Sequence, residues 1–216
     1  MGWFITLEGG EGSGKSTQLR LLQQALESRK IAVLATREPG GTPVGQLIRN
    51  ILLDGNHPPI DSLAELLLYA ADRAQHVAEQ IRPALKRAQV VLCDRFCDAT
   101  VAYQGHGRGL DLKLIDQLNW IATAGLEPQL TILFDCPVEV GLNRSTARLK
   151  KENSREDRFE KEERKFHEQV RRGYLQLAKN HPARFRVIDA TAAPEEIHLK
   201  VLEEVLKTIG GRAGNG

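Results

Sequence analysis

The sequence lacks any apolar run approaching the roughly 20 residues that span a bilayer. Its start has no basic region followed by an apolar stretch, so no secretory signal is expected. Cysteine is scarce. Cys93, Cys97 and Cys136 are odd in number and fall in neither a CxxC nor a zinc spacing, which excludes a disulfide framework or a zinc ribbon. They read as reduced, mostly structural thiols, and a cytoplasmic location follows as the default. An excess of either charge is lacking too: the formal net charge is +2, too small for nucleic-acid binding by bulk electrostatics. The guanine-reading N-K-x-D is missing, which argues against a GTPase-type switch. There is no internal repeat.

What is present is ordinary for a globular enzyme: 41% hydrophobic and 27% charged residues in a chain of 216. Apolar runs alternate with helical periodicities, the pattern of a parallel sheet wrapped by helices, and one α/β domain over residues 1–209 is expected. Strands are expected at Trp3–Glu8, Ile31–Thr36, Val90–Cys93, Leu130–Phe134 and Arg184–Ile188. Helices are expected at Lys15–Arg29, Val44–Leu53, Ser62–Arg87 (kinked or split at Pro83), Leu112–Ala124, Val138–Arg148, Arg164–Lys179 and Pro194–Ile209. The run Gln104–Gly109 reads as a helix break. Residues 210–216 read as a disordered tail.

The segment Gly9-Gly10-Glu11-Gly12-Ser13-Gly14-Lys15-Ser16 satisfies G-x-x-x-x-G-K-[ST], with an apolar strand before it and an amphipathic helix after it. Glycines let successive backbone N–H groups converge on an anion, and the helix N-terminus adds its positive dipole end. Lys15 is placed to reach the β- and γ-phosphates, and the Ser16 hydroxyl to ligate Mg²⁺. Asp94 closes the strand Val90–Cys93 where strand carboxyl ends face a ligand crevice, so it is the second candidate metal ligand.

Further segments fall at sheet ends. One is Arg37-Glu38-Pro39-Gly40-Gly41-Thr42. Tyr69 and Arg73 share a helix face one turn apart, and Asp94-Arg95-Phe96 is followed by Thr100 to Gly105. Singly, Tyr69 fits a core residue and Arg73 a surface charge. Together they offer guanidiniums for a monophosphate, a ring to stack on a base, and polar groups for its edge. Residues 148–163 are too polar to pack a core and read as a mobile lid that shields phosphates from water.

These stretches resemble the thymidylate kinase family. The likeness runs from about Ile5 to Ile209 and rests on the phosphate loop with Thr17, Thr36–Thr42 (TREPGGT), Ala71-Asp72-Arg73, Asp94-Arg95-Phe96 with Ala102-Tyr103-Gln104-Gly105, and Asp157-Arg158-Phe159-Glu160. The resemblance implies a P-loop nucleotide kinase fold with a five-stranded parallel sheet, transfer of the ATP γ-phosphoryl group to dTMP with Mg²⁺, and a homodimer. It implies that Arg73 and Arg95 grip the dTMP phosphate and that Tyr69 stacks on thymine. Thr100, Tyr103 and Gln104 would line the base and sugar, with Glu38 near the deoxyribose and acceptor phosphate. No basic residue lies between Gly9 and Gly14, so the catalytic arginine is expected on the lid. Arg158 matches the family position and Arg155 is its competitor. By analogy with nucleotide kinases, Arg144 would stack on adenine and Arg148 approach the donor phosphates. Glu11 would orient an arginine or a water, and His106 has no role. A nucleoside kinase would need a carboxylate base where Glu38 sits, which leaves that residue ambiguous; Arg73 and Arg95 favour a nucleotide acceptor.

Overall fold

In the computed structural model, which describes residues 2–211, strands form where β-branched and apolar residues run unbroken. These are β1 (Trp3–Gly9), β2 (Val33–Arg37), β3 (Val90–Asp94), β4 (Leu130–Asp135) and β5 (Phe185–Asp189). All pair in parallel in the order β2-β3-β1-β4-β5. The central strands are buried on both faces, as a sheet covered by helices on each side requires. On one face Ile5, Leu7, Leu92, Ile132 and Phe134 pack with Leu22, Leu26 and Val201. The other side holds a cluster around Phe4, Val91, Cys93 and Phe96, and an aromatic one around Tyr103, Phe166 and Tyr174.

The helices are α1 (Lys15–Glu27), α2 (Pro43–Leu53), α3 (Ser62–His76), α4 (Arg82–Lys86), α5 (Cys97–Thr100), α6 (Leu112–Thr123), α7 (Val138–Glu152), α8 (Arg164–Asn180) and α9 (Pro194–Gly210). Side-chain oxygens cap three of them: Thr42 for α2, Asp61 for α3 and Asp111 for α6. The expected kink near Pro83 takes the form of a π turn over Val77–Ile81 directly before α4. The expected break at Gln104–Gly109 is a correction. The chain stays helical as a π segment, Val101–Gly107, because Ala102, Tyr103, Gln104 and Gly105 are all buried against neighbouring elements. There His106 packs: a Cβ on Gly173 of α8 would meet its ring at 2.6 Å. Of the expected tail, residues 212–216 lie outside the described residues, as does Met1. Among the described residues no helix is long and apolar enough to cross a membrane.

Parallel register is what assembles the site. Leu7 and Arg37 both pair with Asp94, and Gly9 pairs with Phe134. The loops after β1, β2, β3 and β4 therefore leave the sheet at one edge, around the crevice beside β1 where connections diverge to either side.

The expected lid contains the last turn and a half of α7, a left-handed turn at Asn153 (φ 49°), and a loop to Glu163. It lies across the end of α2: Arg49 holds Glu156 at 2.6 Å, Gly55 N–H donates to the Arg155 carbonyl, and Arg158 N–H to that of Leu53. Its buried Phe159 stacks on Phe166 and meets the Tyr103 ring edge-on at 5.4 Å.

Candidate active site

The phosphate loop leads into α1 through Gly14 at φ 89°, with no side-chain cap and no acidic residue in the first turn. The first amides of α1 are thus left for an anion. Gly12 (φ 63°) sits so close to Gly141 of α7 that a Cβ on either would strike the other loop's backbone, so glycine is required at both. Lys15 Nζ curls back to the carbonyls of Gly9 (3.1 Å) and Gly10 (2.8 Å) and to Ser13 Oγ. Burial foremost, and then Arg95, lower its pKa to about 8. The Ser16 hydroxyl donates to Asp94 Oδ2 at 2.8 Å, so two hard oxygen donors from β3 and α1 meet beside the loop, the donor chemistry that suits Mg²⁺.

At the end of β3, Arg95 adopts a left-handed φ of 69°. This unfavourable backbone is held from both sides: Arg95 N–H donates to the Leu7 carbonyl, and Phe96 N–H to Glu8 Oε1 at 2.7 Å. Its guanidinium reaches Glu11 Oε1 (2.8 Å), the Tyr103 hydroxyl (2.9 Å) and the Tyr174 hydroxyl (3.2 Å), lying over the Tyr103 ring. The Tyr103 and Tyr174 hydroxyls in turn donate hydrogen bonds to Glu11 and Glu8. Burial alone would raise the Glu11 carboxyl, but the Arg95 and Lys15 charges hold it at about 2.

Arg73 is buried on α3. Its Nε–H goes to Glu38 Oε2 (2.9 Å), Nη1 to Asn119 Oδ1, and Nη2 to the Phe96 carbonyl and Thr100 Oγ1. Of the five guanidinium N–H groups, one on Nη1 has no partner among the described residues. Glu38 is likewise committed, since its other oxygen faces His76 Nδ1 at 2.9 Å and Thr36 holds the far nitrogen of that ring. Glu38, His76 and Cys93 lie within a metal-ligand radius of one another. With both imidazole nitrogens and both carboxylate oxygens already bonded, they form a hydrogen-bond relay under Arg73 rather than an open ligand set.

One cavity of about 190 Å³ joins these parts. Its wall runs from Glu11–Thr17 through Asp94 and Arg95 to Tyr69, Arg73, Thr100, Tyr103 and Gln104, with Glu38 between. The sequence-expected acceptor residues are therefore brought together with the phosphate loop. Arg148 of α7 also lines it, whereas Arg144 turns to the carbonyls of Ala190 (2.7 Å) and Thr191 (3.5 Å) beside the loop.

Two expectations fare differently. Arg158 is not brought to the cavity: Nε donates to the Leu52 carbonyl at 2.6 Å and Nη2 pairs with the buried carboxylate of Glu65, which draws the guanidinium away from the phosphate loop. Arg155 is exposed. Sequence reasoning also missed Arg49 and Glu156 on the cavity wall, and Glu8, Glu65, Asn119 and Tyr174 behind it. A charged residue inside an amphipathic helix carries no sequence mark that says which way it points. Only Glu8 had one, as a carboxylate in an otherwise apolar strand.

A parallel sheet of this order with a phosphate loop after β1 defines the class of P-loop nucleotide kinases. Within that class the chain belongs to the thymidylate kinase family, whose model matches residues 7–201. It is 55% identical to the thymidylate kinase of Citrifermentans bemidjiense, over 99% of this chain and 96% of that one. It is 55% identical to that of Geotalea daltonii, over 98% and 100%. The crystal structure of thymidylate kinase from Ehrlichia chaffeensis superposes with a TM-score of 0.76 at 35% identity, covering 95% of this chain and 99% of that one.

The Glu8 carboxyl gives a pH signature. Burial foremost, and the nearby Asp98, push its pKa from 4.5 to about 8. The folded state then keeps a proton that the unfolded chain has released, so stability falls as pH rises from about 4.5 to about 8. Glu8→Gln, neutral at every pH, should flatten this slope. Its melting temperature relative to wild type should climb through that window and level off above about pH 8. A difference independent of pH would show that Glu8 is ionised in the fold.

Proposed function

We propose that this chain transfers the γ-phosphoryl group of ATP to dTMP, giving ADP and dTDP for dTTP synthesis. The observation that carries the reading is continuity. A single cavity links the phosphate loop to Arg95 and then to a ring and an amide suited to a pyrimidine, so a donor and an acceptor phosphate meet at one place. The acceptor is already ionic, so one of its phosphate oxygens bonds to the γ-phosphorus as the bond to the ADP oxygen breaks, and no protein base is needed.

Lys15 and the α1 amides hold the donor phosphates, and Arg95, steadied by Glu11, holds the acceptor phosphate. Tyr69 offers its ring to the base. Mg²⁺, held by Ser16 and Asp94, would neutralise charge on the β- and γ-phosphates. Glu38 positions Arg73, with one oxygen on that guanidinium and the other on His76, an engagement that supports a nucleotide rather than a nucleoside acceptor. ADP release should therefore depend on dTMP, be far weaker with dCMP, dGMP or thymidine, and vanish in Lys15→Ala. Thymidine turned over as fast as dTMP would make this a nucleoside kinase.

For the lid, the geometry favours Arg148 over Arg158 as the charge that meets the transferring phosphoryl group. An arginine in that role is worth about 10³–10⁵ in rate, so Arg148→Ala should lower kcat by at least about a hundredfold with little change in the KM for dTMP. Arg158→Ala should chiefly lower the melting temperature, because it strips a cation from buried Glu65. Arg155→Ala, at an exposed site, should stay within about threefold. A crippled Arg158 variant beside a near-normal Arg148 variant would return the role to Arg158, which must then leave Glu65 when ATP binds.

A homodimer is also part of the proposal. Leu47 of α2 (66% exposed), Leu63 and Leu67 of α3, and Trp120 (68%) and Ile121 of α6 leave an apolar surface along three adjoining helices, and a second copy of this chain covers it. Leu67→Glu with Trp120→Glu should convert a dimer to a folded monomer in light scattering after size exclusion. An unchanged mass would place the interface elsewhere. Unpaired Cys93, Cys97 and Cys136 fit a cytoplasmic setting.

A further inference from the structure

Gln104 lines the far end of the cavity, and its amide has two chemically opposite faces, an N–H donor and a carbonyl acceptor. Which face meets the ligand decides what the ligand must offer. Behind Gln104 lies Glu65 of α3, 1% exposed, whose Oε1 takes the Gln104 Nε2–H at 2.8 Å. A carboxylate held by cations can only accept, so the Gln104 amide group must turn its nitrogen inward and its Oε1 outward. Glu65 is held in that state by two guanidiniums: Arg108 at 3.3 Å, itself tied to Glu162 at 2.6 Å, and Arg158. Gln104 Oε1 accepts from no side chain or backbone group among the described residues.

On the same wall, Arg73 keeps one Nη1 N–H without a partner among the described residues. The cavity end therefore presents an acceptor from Gln104 and a donor from Arg73, whose one remaining N–H meets the base edge and leaves the acceptor phosphate to Arg95 rather than sharing it as the resemblance implies. Thymine and uracil match this pair with N3–H and a C4 carbonyl. Cytosine presents an acceptor at N3 and an amine at C4, mismatched at both places.

Resting on the thymidylate reading above, we propose that Glu65 is the specificity-determining positioning residue of this site. By fixing the Gln104 amide with its oxygen toward the cavity, it restricts the acceptor to pyrimidines with an imide edge. The anchor is shared with the lid: Arg158 and Glu162 belong to the segment after α7, so base selection and the docked lid draw on one buried carboxylate. A site that leaves its own polar groups unpaired against the wrong edge rejects that ligand strongly, which is how one carboxylate remote from the ligand changes selectivity.

The test compares kcat/KM for dTMP, 5-methyl-dCMP and dUMP in wild type and in Glu65→Gln. The first two substrates share the methyl group and differ only in the edge; dTMP and dUMP share the edge and differ in the methyl. A glutamine at 65 offers either polarity, so the Gln104 amide is free to flip. The dTMP to 5-methyl-dCMP ratio should then fall at least tenfold, while the dTMP to dUMP ratio stays within about twofold. Glu65→Met releases the amide in the same way and serves if Glu65→Gln melts below the assay temperature. In a Gln104→Leu background, the Glu65 substitution should leave the edge ratio where Gln104→Leu alone put it. Parallel falls in both ratios, an unchanged edge ratio, or a full effect of Glu65→Gln without Gln104 would each overturn the proposal. Absence of dTMP turnover in wild type would instead strike the thymidylate reading itself.

Discussion

The rest of the site depends on a half-buried guanidinium held at the end of β3. Arg95 stands in a left-handed conformation between Leu7 and Glu8, and its charge is shared among Glu11, Tyr103 and Tyr174. Two carboxylates, Glu8 and Glu11, sit on either side of it at unlike protonation, one pushed up by burial and the other held down by the arginine and Lys15. In a poorly solvated pocket such a charge is costly unless every donor is met. Here Glu11 of the phosphate loop, Tyr103 of the π segment and Tyr174 of α8 take three of its hydrogen bonds. Once Arg95 is fixed, its position relative to the phosphate loop is fixed with it, because the adjoining Asp94 accepts from Ser16 at the start of α1.

The buried polar groups form nested layers, each stiffening the one in front. Thr36 and His76 hold Glu38, Glu38 holds Arg73, and Arg73 ties α3 to Asn119 of α6 and to Thr100. Glu65 does the same for Gln104. Residues that touch a ligand in such a site need few degrees of freedom, since ordering them was completed during folding rather than at binding.

Much of this was legible in the sequence. The strands could be read because parallel, doubly covered strands are unbroken apolar runs, and the phosphate loop because its glycines and Lys15-Ser16 stand at fixed spacing. Strand ends then located Glu38, Asp94 and Arg95, since a parallel sheet gathers its carboxyl ends. What escaped was orientation. Arg158 and Arg148 lie ten residues apart in a charged stretch, and composition says nothing of which one a buried Glu65 captures. The run Gln104–Gly109 is rich in glycine and was read as a break, yet glycine there admits neighbours: Phe166 lies against Gly107, and Leu112 against Gly105. Tertiary packing overrode the local signal.

The π segment Val101–Gly107 has a consequence of its own. Its i→i+5 hydrogen bonding gives a wider turn than an α-helix, and that turn sets the directions in which Tyr103 and Gln104 leave the backbone toward one cavity. Such a turn exists only while the count of residues is kept. This stretch is therefore constrained in its length as well as its letters: one residue gained or lost would re-aim the side chains that follow.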